Sequence, residues 1–184
     1  LWKELRYMII TDEEILLSPS LPVSADEISD ILERLEYEIA HSNGVINDDD
    51  LAIGLAACQI GLLKKAFIVR ISKKHSYNFI NPEIISLKEP VIFTKEGCLS
   101  YPGKQIRTLR FNKIEIVDDL HPQGLHLTGL PAIAAQHEYQ HTIGQSMFRN
   151  ELSKLKDDEL CLCGSNITFS KCCRIELRKN MRII

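Results

Sequence analysis

Leu130-Pro131-Ala132-Ile133-Ala134-Ala135-Gln136-His137-Glu138-Tyr139-Gln140-His141 is the stretch on which the reading of this chain turns. Proline is tolerated in a first helical turn, so the run reads as a helix beginning near Pro131. At about 3.6 residues per turn His137 and His141 share one face, with Glu138 beside them. Two imidazoles and a carboxylate so placed can hold a hydrolytic metal ion and move protons for an attacking water. A helix face that only forms salt bridges can carry the same pattern. Here Leu130, Ile133, Ala134 and Ala135 precede it and Ile143, Met147 and Phe148 follow, so the histidines are expected to be buried, and buried imidazoles need partners.

Upstream, Ser24 and Glu27 form a capping-box signature, and Ile28, Ile31, Leu32, Leu35 and Ile39 recur at helical spacing, predicting an amphipathic scaffold helix over 25–42. Asp48, Asp49 and Asp50 read as a solvated loop. Short β-like stretches follow at 66–71, 77–80, 83–86, 91–94 and 113–118, with turns at Asn81-Pro82 and at His121-Pro122-Gln123-Gly124. Helix, strands and then a chemistry-bearing helix make an α+β fold.

At 184 residues the chain suits one domain with a small appendage. A formal charge of −3 gives no general electrostatic reason to expect DNA or an anionic membrane as partner. There is no run of 18 apolar residues and no basic-then-apolar signal segment, so the expected location is cytoplasmic. Six cysteines could form disulfides, but four of them crowd the C-terminal end. Metal-bound thiolates in a reducing compartment fit that placement better.

A catalytic metal needs a third protein ligand, and Asp118, Asp119, His121, His126, Glu96 and Cys98 are the candidates. Cys98 stands in Glu96-Gly97-Cys98-Leu99-Ser100, where Gly97 admits a backbone conformation or a close approach that other residues resist. A lone cysteine is more often a small buried hydrophobe.

Three segments, Gly54-Leu55-Ala56-Ala57-Cys58-Gln59, Glu96-Gly97-Cys98-Leu99-Ser100 and Gln136-His137-Glu138-Tyr139-Gln140-His141, resemble the peptide deformylases in order and spacing, over residues 10–151. The resemblance implies small mixed or antiparallel sheets around the central helix, and removal of the formyl group from formyl-methionine at the start of nascent peptides. It implies Cys98, His137 and His141 as ligands of one divalent metal, with ferrous iron expected natively and zinc, nickel or cobalt able to replace it. It also implies Glu138 as general acid and base, and the Gln59 amide and Leu99 backbone N–H as oxyanion donors. Gly54 would let a strand-like peptide approach, with the methionine side chain near Ile133 and His137. Gln140 departs from the family's usual aspartate, leaving Arg110 an uncharged partner; Ala52 and Cys58 replace a common glycine and proline. The alternative reading is a slow homologue that binds nascent chains or ribosomes.

Beyond a polar linker at 152–159, expected to prolong the preceding helix, the tail at 160–184 carries Cys161, Cys163, Cys172 and Cys173. Four thiolates within 13 residues can close a tetrahedral zinc site and fold a segment too short to own a core. The pattern resembles the SEC-C type of zinc-binding tail. Lys171, Arg174, Arg178, Lys179 and Arg182 around it suggest docking on the ribosome, the alternative being a plain C-terminal clip.

Overall fold

The computed structural model describes residues 9–41, 53–72, 75–179 and 183–184. The acidic loop at 48–50, Ala52 and Arg182 lie outside them.

A short helix, α1 (Glu13–Leu16), is capped by the Asp12 carboxylate, which accepts from the Glu14 N–H. The amphipathic helix α2 spans Ile28–His41, starting later than the sequence suggested. Residues 24–27 form a turn instead, because the Glu27 carboxylate accepts from both the Ser24 N–H at 2.9 Å and the Ser24 hydroxyl at 2.8 Å. The expected box is therefore made on its Glu27 side, while the serine hydroxyl is spent on that carboxylate rather than on the helix.

Two three-stranded antiparallel sheets flank the catalytic-looking helix. The first is β1 (Gly54–Ala56), β2 (Ala66–Ser72) and β3 (His75–Ile80), the second β4 (Glu83–Glu96), β5 (Ile106–Val117) and β6 (Leu125–Thr128). Successive strand residues point to opposite faces. Accordingly Phe67 and Val69 of β2 enter the main core, while Ala66 and Ile68 join Leu35 and Ile39 of α2 in a second one. The stretches read separately at 83–86 and 91–94 are one bulged strand, with register shifts between Ile84 and Ser86 and between Phe93 and Glu96. Glu89 lies between them at φ 59°.

α3 (Leu130–Thr142) is the central helix, buried along most of its length. Gln136 latches it to β5: its carbonyl accepts from the Phe111 N–H at 3.0 Å and its amide donates to the Phe111 carbonyl at 2.7 Å. The helix does not continue into the linker. Gly144 turns the chain at φ 68°, where a Cβ would come within 2.6 Å of the Leu17 carbonyl oxygen, and tight turns at Met147–Asn150 and Leu152–Lys154 follow.

The tail ends in a short helix, α4 (Cys173–Lys179). Cys161, Phe169, Cys173 and Leu177 are all part of the main hydrophobic core. The chain end also adds to β4: the Ile184 N–H donates to the Ile92 carbonyl and its own carbonyl accepts from the Thr94 N–H, both at 3.0 Å. Among the described residues no helix is long and apolar enough to cross a membrane.

Candidate metal centre

The ends of three elements meet on one side of α3. β1 leads into the turn that carries Gln59, β4 runs directly into Gly97 and Cys98, and α3 presents His137 and His141 a helical turn apart. The ligand atoms of Cys98, His137 and His141 all lie within 4.8 Å of one another. Of the six residues considered as third ligand, the fold brings in Cys98. Asp118 and His121 pair with each other, Asp119 accepts from Asn81, and His126 lies beside Glu115 on the second sheet.

The donors fit a divalent transition metal. His141 Nε2 is 3.3 Å from the Cys98 sulfur, and burial holds this imidazole down to about 3, in the neutral form that can ligate. His137 turns Nδ1 to Glu96 at 2.7 Å, which leaves Nε2 for the site. One thiolate and two imidazoles suit iron, cobalt, nickel or zinc.

Glu138 follows His137 and faces an open cleft of about 790 Å³ lined by Ile53, Gly54, Gln59, Leu99, Ile133 and His137 among others. Burial pushes its carboxyl up to about 7, against the pull of His137 and Arg110. Its buried Oε2 has no hydrogen-bond partner among the described residues. Gly54 sits directly against it. A Cβ there would lie 2.7 Å from Glu138 Cγ, closer than real side chains approach. Sequence reasoning gave Gly54 a role toward the peptide; the nearer constraint is the carboxylate. Among the described residues nothing requires the freedom read into Gly97, since a Cβ there would meet just the Lys104 carbonyl oxygen at 3.5 Å, an ordinary contact.

Behind Cys98, His137 and His141 runs a buried polar network. Glu96, considered above as a ligand, is instead the carboxylate that holds His137. It also accepts from the Arg110 Nε at 2.8 Å, from Arg110 Nη2 and from the Thr108 hydroxyl. Burial opposes its charge, yet Arg110 and His137 hold it well below the usual carboxylate range. Arg110 Nη1 donates to the Gln140 carbonyl at 2.8 Å, the uncharged contact the sequence suggested. On the cleft side Gln59 accepts from the Ala56 N–H at 2.8 Å and turns its amide toward Ser100 and the Cys98 sulfur, at 3.1 and 3.5 Å. Sequence reasoning gave Thr108 and Asn150 no place in the site and quoted Ser100 only as the end of a motif; the importance of each lies in what folds against it.

The polypeptide deformylase family model matches residues 6–158. The chain belongs to that family. The peptide deformylase of Natranaerobius thermophilus is 36% identical over 146 residues, 73% of this chain and 92% of that one. Peptide deformylase 1 of Clostridium perfringens is 36% identical over 155 residues, covering 80% and 99% of the two chains. Among solved structures, a peptide deformylase from Synechococcus elongatus in complex with actinonin superposes with a TM-score of 0.66 at 27% identity, covering 82% of each chain.

In this deformylase the SEC-C motif matches residues 159–174, directly after the family domain. Its Cys161, Cys163, Cys172 and Cys173 sulfurs lie within 4.8 Å of one another, and all six cysteines are free thiols. Burial works against a Cys163 thiolate, but hydrogen bonds from Ser165 and the neighbouring thiols bring it down to about 7. Such a thiol cluster can close a tetrahedral site.

Proposed function

We propose that the protein removes the formyl group from formyl-methionyl nascent peptides in the cytoplasm, with Cys98, His137 and His141 holding one divalent metal, iron by preference. The observation that carries this reading is the meeting of that ligand trio with Glu138, whose buried Oε2 has no partner among the described residues, beside an open cleft that Cys98, His137 and Glu138 line. When bound, the ion supplies positive charge that polarises the formyl carbonyl and acidifies the attacking water. Glu138 takes a proton from that water as its oxygen bonds to the formyl carbon. It returns the proton to the peptide nitrogen as the carbon–nitrogen bond breaks, giving formate and a free amine. Gln59 Nε2 and the Leu99 N–H donate to the developing oxyanion. Ile133, with His137 and the start of α3, forms the apolar wall for methionine, and the Gly54 edge pairs with the peptide backbone.

Formyl release from formyl-Met-Ala-Ser by protein loaded separately with iron, nickel or zinc tests the reading. Metal-dependent turnover that Glu138→Ala abolishes is the expected result; loaded protein without turnover would overturn it. Nothing in the site favours the slow binding homologue, because Gln140 keeps its bond to Arg110 and no ligand is missing.

The tail thiols are proposed to hold a structural zinc. The exposed Lys171, Arg178 and Lys179 are proposed to contact ribosomal RNA; Arg174 is engaged by Asp157 and by the Phe169 ring. Removing the tail would also remove core residues, so charge reversal at these three positions is the better test. Unchanged co-sedimentation with ribosomes would sink the docking idea.

A further inference from the structure

The side of the network farthest from the cleft has a direction. Arg110 Nη1 donates to Gln140 Oε1, Gln140 Nε2 donates to Asn150 Oδ1, and Asn150 Nδ2 donates to the Leu109 carbonyl at 2.9 Å. Arg110, Gln140 and Asn150 are all buried, so these groups are satisfied mainly by one another. Reversing the Gln140 amide would set its donor against the guanidinium, and then an oxygen against Asn150 Oδ1. The carbonyl that holds Arg110 is thus selected by the acceptor at Asn150. Arg110 in turn grips the same Glu96 carboxylate that holds His137 Nδ1.

We infer that Asn150 is a positioning residue for the metal ligand His137, acting through the Gln140 amide, Arg110 and Glu96. It stands in the turn Met147–Asn150, outside all three family motifs, ten residues beyond Gln140. A neutral glutamine can anchor an arginine here because a second amide fixes which of its ends faces the charge; a carboxylate, with two equivalent oxygens, needs no such partner. The inference rests on the deformylase reading for its catalytic consequence, but not for its effect on metal binding.

The test compares Asn150→Leu with Asn150→Asp in the full chain. Both lose the donor to the Leu109 carbonyl; only Asp keeps an acceptor for Gln140 Nε2. A positioning role predicts that Asn150→Leu weakens metal affinity ~10-fold or more in chelator competition and lowers kcat with little change in KM. The visible spectrum of its cobalt-loaded form shifts as well. Asn150→Asp restores the affinity and the cobalt spectrum. If the two variants behave alike, or if Asn150→Leu keeps the parent affinity and spectrum while only its Tm falls, Asn150 merely anchors β5 and the inference is overturned. Asn150→Ala replaces Asn150→Leu should the latter not fold. Parent protein that binds cobalt but releases no formate would refute the deformylase reading alone, since affinity and spectrum still report on Asn150.

Discussion

Gly54 and Glu138 touch across the junction of β1 and α3, so that the missing side chain of one is the space occupied by the carboxylate of the other. A Cβ at position 54 would come within 2.8 Å of the Glu138 carboxyl carbon. Since Gly54 is not among the positive-φ glycines, the obstacle to Gly54→Ala is this overlap rather than backbone strain. The variant is expected to bind its metal normally and to lose on the order of 100-fold in kcat/KM, the scale of an ångström-sized misplacement of a reacting group. Formyl release measured beside metal content checks it; a metal-replete Gly54→Ala with parental turnover would contradict the placement of Glu138.

Glu96 carries two burdens, orienting His137 and neutralising a fully buried Arg110. Glu96→Gln keeps the shape and removes the charge. Breaking one partner of a buried ion pair costs roughly 3 to 5 kcal/mol, and loss of a ligand's orienting group costs roughly 10 to 100-fold in metal affinity. Both a lower Tm and easier metal removal by a chelator are therefore expected. An effect on Tm alone would mean that His137 is oriented by something else.

Two thiol-containing clusters far apart in sequence should bind metal independently. Cys98→Ala is expected to remove one metal equivalent and all turnover, leaving the tail loaded. Cys163→Ala is expected to remove the other and leave the catalytic ion. Elemental analysis of both variants decides this, and loss of both equivalents in either one would show that the clusters are coupled.

Phe169 and Leu177 belong to the same core as Phe67, Leu109 and Ala135. Truncating a buried phenylalanine costs about 3 to 5 kcal/mol, so Phe169→Ala should lower the unfolding temperature of the whole protein in a single transition. A separate early transition, with the main one unmoved, would instead make the tail an independent unit.

The sequence by itself singled out the candidate site residues: His137, Glu138 and His141 by helical spacing, Cys98 and Gln59 by the motifs that carry the family resemblance, and the four tail cysteines by their crowding. These were legible because helical periodicity and metal-ligand spacing are local properties. The long bulged strand β4 and the short β1 and β6 were not, since a strand's length depends on the partner it pairs with rather than on its own pattern. Nor could spacing show that Glu96 orients His137 instead of ligating, that Gly54 makes room for Glu138, or that Asn150 sets the polarity of the Gln140 amide. Each depends on which groups are left facing one another once water is excluded, and only tertiary structure decides that, because a buried polar group must be satisfied by whatever the fold brings within reach.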